Sequence, residues 1–146
     1  MESNYYQIHF LELSKDKTTV LGLKFYPQNV TIPEGVICIK DGVFSRTCLE
    51  DISLPDSLKY LGASAFYGCS CLKNIIIPHG VKKIEYRTFF ECSSLTNVIL
   101  SNSIHFIDKG IKGTIGMFCK SYYCIVSAGY CYCFEQVLKR HSFIFF

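Results

Sequence analysis

Nine cysteines and four histidines are the side chains best suited to chemistry in this sequence, as nucleophiles, proton carriers or metal ligands. The C-terminal part carries a candidate zinc set of four cysteines and one histidine: Cys119, Cys124, Cys131, Cys133 and His141. Their C-x4-C-x6-C-x-C spacing differs from the paired knuckles of structural zinc sites. Because the same segment is rich in aromatic residues, we favour a cap over a metal centre. We expect no metal and no cofactor.

The other histidines, His9, His79 and His105, are far apart in the sequence. Nucleophilic catalysis needs a nucleophile, a base and an orienting group that converge in one pocket. His79 and His105 stand at predicted turns, where a solvated histidine is the simpler interpretation. The sequence also contains no G-x-G-x-x-G, P-loop, H-E-x-x-H or G-x-S-x-G motif. We therefore expect a protein that is not an enzyme.

The composition indicates one globular domain. The chain has 146 residues, of which 49% are apolar and 18% are charged, which is enough to form a core. Its net charge of +3 comes from 15 basic and 12 acidic residues dispersed along the chain, which argues against a nucleic-acid partner. The N-terminal residues lack the basic and apolar regions of a signal peptide. The default expectation is a reducing cytoplasm in which the cysteines stay as buried thiols.

A repeat positions most of these residues. Residues 52–74 and 75–97 form two consecutive units of 23 residues each. Seven positions match between the two units: Pro55 and Pro78, Leu58 and Val81, Leu61 and Ile84, Phe66 and Phe89, Cys69 and Cys92, Leu72 and Leu95, and Asn74 and Asn97. A fixed period of this length is typical of repeat proteins, whose units stack to share a core.

Weaker copies of the unit flank these two. A unit of 22 residues precedes them over 30–51, and a partial unit follows over 98–112. The predicted organisation is an N-terminal cap or half-repeat over 1–29, repeats over 30–112, and a Cys-, Tyr- and Phe-rich C-terminal cap or tail over 113–146.

Each unit predicts one short strand that ends at its proline. The run from Ile75 to Ile77 is β-branched, and Pro78 cannot donate to a ladder. One unit cannot bury its own apolar residues, so we expect parallel in-register strands about 4.8 Å apart. Alternation directs one set of side chains inward: Ile52, Leu54, Ile75, Ile77, Val98 and Leu100. It directs a second set outward, here called the outward column: Thr31, Ser53, Ile76 and Ile99.

The matched positions resemble the BspA-like leucine-rich repeat. The resemblance rests on apolar-x-apolar-Pro, then Val/Leu-x-x-Ile/Leu, then Phe-x-x-Cys-x-x-Leu, and covers about residues 30–107. It implies a right-handed leucine-rich-repeat solenoid of about three to four coils, mainly β with short turns or helical segments. Roles proposed for similar proteins are adhesion, surface antigenicity and binding of host or matrix proteins. The resemblance thus implies a cell-surface location.

The outward column is the candidate face for a protein partner. Asp51, Asn74 and Asn97 stand immediately before the apolar residues of the predicted strands. The residues one place earlier differ in charge from unit to unit and are here called the polar row: Glu50, Lys73 and Thr96. A changing charge suits a solvated or partner-tuned surface. Asn74 and Asn97 are expected to act as scaffold, bonding turn backbone groups.

Cys69 and Cys92 occupy one repeat position, so adjacent coils bring them together. A column of buried thiols is favoured over a disulfide, because the other core positions of the repeat are Phe and Leu.

Alternatives remain for the C-terminal part and for the role of the chain. Residues 114–134 contain a single charged residue and are long enough for a membrane span, but their Tyr and Cys content makes them weakly apolar. A packed cap or an aggregation-prone tail competes with insertion. The chain could also act as an intracellular structural or self-associating scaffold, with association driven by residues 119–146, or be a truncated repeat fragment without independent function.

Overall fold

A computed structural model describes residues 9–101, 103–107, 117–120 and 123–126 of the chain. This part of the chain contains twelve strands and no helix, so the predicted mainly β class is confirmed and turns take the place of helical segments. The strands are β1 (Leu11–Leu13), β2 (Thr19–Leu23), β3 (Asn29–Thr31), β4 (Cys38–Ile39), β5 (Asp51–Ser53), β6 (Tyr60–Leu61), β7 (Asn74–Ile77), β8 (Lys83–Ile84), β9 (Asn97–Leu100), β10 (Phe106–Ile107), β11 (Met117–Lys120) and β12 (Tyr123–Val126).

Equivalent strands of successive units lie side by side in two rows. In the first row β3 pairs with β5 and β7 pairs with β9, both parallel, and β5 lies next to β7. In the second row β2, β4 and β6 form a parallel ladder, β8 pairs with β10, and β6 lies next to β8. Asn29 stands opposite Asp51 and Asn74 opposite Asn97, one repeat period apart. The prediction of parallel in-register strands is confirmed.

The N-terminal segment extends the second row with a hairpin that does not follow the repeat. β1 and β2 are antiparallel, with Leu11 opposite Leu23, and Val20 of β2 stands opposite Ile39 of β4. Residues 1–8 lie outside the described residues, as does most of 113–146. The predicted caps over 1–29 and 113–146, and the unit boundaries between them, stay predictions.

Phenylalanines form the centre of the core. The rings of Phe44, Phe66 and Phe89 are fully buried and nearly parallel, with centroids 5.3 and 5.6 Å apart. These distances fall in the range of favourable aromatic pairs. The inward set is buried as predicted, apart from Leu54, which is half-buried at the edge of the core. The repeat therefore builds one core that runs through all the described units.

Three equivalent turns carry the chain from the second row back to the first. They span 41–46, 63–68 and 86–91. Each turn has left-handed backbone at its second and last residues, with φ between 54° and 68°: Gly42 and Arg46, Ser64 and Gly68, Arg87 and Glu91. Only glycine adopts this conformation without steric strain. The stacked turns share one backbone geometry, and four residues other than glycine adopt the left-handed conformation in it: Arg46, Ser64, Arg87 and Glu91.

Candidate functional site

The first row of strands presents the outward column to solvent. Thr31 stands opposite Ser53, and Ile76 stands opposite Ile99. Thr31 and Ser53 are exposed, and 63% of Ile76 is accessible. Ile99 is half-buried rather than exposed, and the backbone of β12 lies next to its strand. The most accessible aliphatic side chain of this face is therefore Ile76.

The polar row lies beside this column, and the backbone fixes it in place. Glu50, Lys73 and Thr96 are all exposed. The Thr96 N–H and hydroxyl both donate to the Lys73 carbonyl, at 2.9 and 3.2 Å. One place further on, the Asn97 side-chain amide donates to the Asn74 side-chain oxygen at 2.6 Å. The asparagines thus form a ladder with each other, where the sequence predicted bonds to turn backbone, and they fix adjacent units in register.

Sequence reasoning missed a second exposed cluster, which lies over the turns. The Arg46 guanidinium is 5.4 Å from the centre of the Tyr67 ring. Tyr67 stacks on Phe90 with centroids 5.8 Å apart, and the Arg87 guanidinium is 5.3 Å from the Phe90 ring and 4.8 Å from the Tyr86 ring. Two arginines therefore bracket a pair of stacked rings. The signal in the sequence is faint, because the arginines occupy different positions of the repeat.

A depression of about 420 Å³ opens in this cluster. Its lining residues, here called the turn surface, are Ser45, Arg46, Ser64, Tyr67 and Arg87. A hydrogen bond with Tyr67 and the charges of Tyr67 and Glu91 raise the pKa of the Arg46 guanidinium, which is fully exposed. The turn surface therefore offers two permanent positive charges and three hydroxyl groups to solvent.

The thiols of Cys69 and Cys92 are buried, as predicted. The Cys69 thiol donates to the Phe44 carbonyl and the Cys92 thiol to the Phe66 carbonyl, both at 3.0 Å. Thr47 continues this column one unit earlier, with its hydroxyl 3.6 Å from the Cys69 sulfur. The hydrogen bond with Cys69, together with burial, raises the pKa of the Cys92 thiol. Hydrogen bonds from Cys92 and Thr47 lower the pKa of the Cys69 thiol. Both thiols satisfy turn carbonyls inside the core.

Two other cysteines contradict the expectation that the thiols stay reduced. Cys48 and Cys71 form a disulfide, with their Cα atoms 5.2 Å apart. Each stands immediately before a matched leucine, Leu49 or Leu72, so the two occupy one repeat position in adjacent units. The expectation was wrong because it rested on an assumed reducing compartment, whereas stacking brings these two positions, 23 residues apart, within disulfide range. Disulfides persist in oxidising compartments and are rare in the cytosol.

Most of the C-terminal candidate residues lie outside the described residues. Cys119 of β11 and Cys124 of β12 stand opposite each other in the antiparallel strand pair. Cys131, Cys133 and His141 lie outside the described residues. In the part of the chain that the structure describes, no group of three His, Cys, Asp or Glu residues could hold a metal ion. In that same part, no helix is long and apolar enough to cross a membrane. Of the candidate span over 114–134, the described stretches are the two hairpin strands.

The sequence matches a family model across most of the repeats. Six copies of the BspA type leucine rich repeat region cover residues 24–112. The chain belongs to this BspA-type leucine-rich repeat family. The match confirms the resemblance carried by the apolar, proline, phenylalanine and cysteine positions. It begins six residues before the first predicted unit at 30.

Three solved structures of bacterial leucine-rich repeat proteins are similar to this BspA-type chain. A leucine rich cell surface protein from Faecalibacterium prausnitzii is 28% identical, with a TM-score of 0.57 over 65% of this chain and 24% of its own. The T. pallidum leucine rich repeat protein is 20% identical, with a TM-score of 0.65 over 84% of this chain and 62% of its own. A leucine-rich repeat protein from Eubacterium ventriosum is 22% identical, with a TM-score of 0.54 over 66% of this chain and 37% of its own.

These likenesses establish a fold shared with all three proteins. The BspA-type chain spans less than two thirds of the length of each of the three. No curated protein sequence matches it.

Proposed function

We propose that this BspA-type chain is a non-enzymatic protein-binding module whose partner contacts the outward column and the polar row. The observation that carries the proposal is Ile76, a large aliphatic side chain that is 63% exposed in the middle of a strand. Full burial of such a side chain contributes about 1.5–3 kcal/mol. A partner that covers Ile76 therefore gains binding free energy from this one side chain. In many interfaces a few central residues supply most of the binding free energy in this way.

The surroundings of Ile76 support this role. Ile99 lies directly opposite it and is half-buried, which extends the apolar area toward β12. Lys73, Thr96 and Glu50 lie beside this area and are exposed. An apolar centre with a polar rim is the usual anatomy of a protein interface. Backbone hydrogen bonds hold the polar row in place, so little ordering is needed on binding.

The test is a charge placed at the centre of this face. The wild-type chain and Ile76→Glu are each used to capture proteins from an extract of the source cells. Every protein that the wild type captures and Ile76→Glu does not is purified, and its affinity for both chains is measured by titration. Tyr60→Glu is the matched control, because Tyr60 is 66% exposed and lies on the second row. We expect an affinity loss of about tenfold or more for Ile76→Glu and less than about twofold for Tyr60→Glu.

Direct titration also identifies the partner and decides whether the face is correct. A wild-type dimer that Ile76→Glu converts to a monomer would identify the partner as a second copy of this chain. If every purified partner binds Ile76→Glu as tightly as the wild type, the proposed face is wrong. Circular dichroism of both variants checks that the fold is retained.

We further propose that the units form a right-handed solenoid exposed at the cell surface, in an adhesion or antigen role. Parallel strand pairs one repeat period apart support the solenoid. The Cys48–Cys71 disulfide supports an oxidising location, since such bonds persist outside the cytosol. Labelling of intact cells with an impermeant amine reagent tests the location. Protection of the chain in intact cells, with labelling after lysis, would contradict a surface role.

A further inference from the structure

We propose that the turn surface binds a carboxylate-rich peptide segment of a partner protein. This surface shares no residue with the outward column or the polar row, so it is a second site and does not depend on the first. Its two arginines supply the charge complementarity for such a segment, and clusters of arginines commonly recognise acidic motifs.

Aromatic rings hold both guanidiniums in place. Arg46 lies over Tyr67, and Arg87 lies over Phe90 and Tyr86. Arg46 uses part of its guanidinium for the hydrogen bond with Tyr67. The remaining N–H groups of a guanidinium that stacks on a ring stay available, and they match the oxygens of a carboxylate. Because the rings themselves are stacked, the two forks are presented from one rigid support. Less side-chain entropy is therefore lost when a carboxylate binds.

The backbone brings the two arginines together from units that are not adjacent. The Arg46 N–H donates to the Tyr67 carbonyl at 2.6 Å, and the Ser64 N–H donates to the Tyr86 carbonyl at 2.9 Å. The middle turn is thereby bonded on one side to the arginine-bearing turn 41–46 and on the other to 86–91. Hydroxyl groups of Ser45, Ser64 and Tyr67 line the space between the arginines and can donate to further carboxylate oxygens.

The arginines also occupy backbone positions that favour glycine. Arg46 and Arg87 have left-handed φ values of 58° and 54°; glycine fills the position of Arg46 in the next turn, as Gly68, and that of Arg87 in the first turn, as Gly42. Arg46 therefore carries a long charged side chain at a position that favours glycine. Gly68 makes room for it, because a Cβ there would lie 3.2 Å from the Arg46 Cγ.

Acidic groups near the turn surface tune its charge. Glu91 lies close enough to Arg46 to raise the pKa of that guanidinium, so it also repels an acidic ligand. The Asp41 carboxylate accepts a hydrogen bond from the Ala63 N–H at 2.9 Å and keeps its negative charge. Glu91 is the one carboxylate whose charge acts on Arg46 among the residues the structure describes. Removing the Glu91 charge should therefore strengthen binding of an acidic peptide.

The test uses the full chain and a fluorescein-labelled hexaglutamate peptide, with binding followed by fluorescence anisotropy at low salt. We expect Arg46→Ala/Arg87→Ala to weaken binding by about tenfold or more, and Glu91→Gln to tighten it by about twofold to fivefold. Lys59→Ala/Lys82→Ala is the matched control, because it removes the same charge from exposed lysines outside the turn surface. It should weaken binding by less than about twofold.

Several results would overturn the proposal. These are absence of hexaglutamate binding, an unchanged affinity in the arginine double variant, or an equal loss in the lysine control. A heparin fragment is titrated in parallel, and tighter, arginine-dependent binding of heparin would assign the surface to a sulfated polysaccharide instead. Arg46→Lys/Arg87→Lys keeps the charge and avoids the risk of misfolding, and should bind more weakly than the wild type. Ile76→Glu should bind hexaglutamate normally, which keeps this test separate from that of the outward column.

Discussion

Removing the Cys48–Cys71 disulfide should cost this protein a large share of its stability. The bond links the units 30–51 and 52–74 and closes a loop with a sequence separation of 23 residues. In the chain-entropy model, a loop of this length lowers the entropy of the unfolded state by about 11 cal/mol/K, which corresponds to about 3 kcal/mol at 25 °C. Globular domains are stable by only about 5–15 kcal/mol. Cys48→Ser/Cys71→Ser is therefore expected to lower the free energy of unfolding by about 3 kcal/mol.

Urea unfolding followed by far-ultraviolet circular dichroism measures this difference. With slopes of about 1–3 kcal/mol/M, the midpoint of the double variant should fall by roughly 1–3 M. Dithiothreitol should lower the midpoint of the wild type to that of the double variant, because both chains then lack the same link. Peptide mapping without reduction should recover the peptides of Cys48 and Cys71 as one linked species.

Two outcomes would refute this reasoning. The first is an oxidised wild type that unfolds at the same urea concentration as the double variant, which would mean that the link leaves the unfolded chain unconstrained. The second is a double variant whose midpoint falls in dithiothreitol as much as the wild type's, which would place the stabilising bond between other cysteines. Cys38→Ser is the control for loss of a thiol, since Cys38 is half-buried and unpaired with another cysteine.

Two further predictions concern the core. Phe66→Ala should lower the free energy of unfolding by about 3–5 kcal/mol, because the fully buried ring stacks on both Phe44 and Phe89; a loss below about 1 kcal/mol would contradict a tightly packed stack. The raised pKa of Cys92 means that the folded protein holds this proton more tightly than the unfolded chain, so stability should fall as pH rises above the ordinary thiol value of 9.0, by at most about 1.4 kcal/mol per pH unit. Urea midpoints measured against pH should show this extra slope in the wild type and lose it in Cys92→Ala; equal slopes would refute the assignment.

The repeat made much of the fold predictable. A fixed spacing places Ile76 opposite Ile99 and Phe66 against Phe89, since units of equal length must stack in register. Strand alternation then separates buried positions such as Ile75 from exposed ones such as Ile76. These features depend on neighbours one period away, which can be read directly from the sequence.

The disulfide and the turn surface were harder to predict, for two different reasons. Cys48 and Cys71 are one full period of 23 residues apart, but the period gives only their place in adjacent units, and the direction in which each thiol points depends on the folded turns. Arg46 is the last residue of its turn and Arg87 the second of another, so they form no column in the sequence. They meet only because three turns stack and Tyr67 and Phe90 fill the space between them.

The sequence by itself determined the family, the strand register and the side of each strand that faces the core, because all three follow from the repeat period and from alternation. Tertiary structure decided how accessible the outward side chains are. Ile76 and Ile99 are equivalent in the repeat, yet Ile76 is exposed, whereas Ile99 is half-buried on β9, the strand that lies next to β12. Exposure depends on whatever lies beyond a residue in space, and a local pattern does not contain that information.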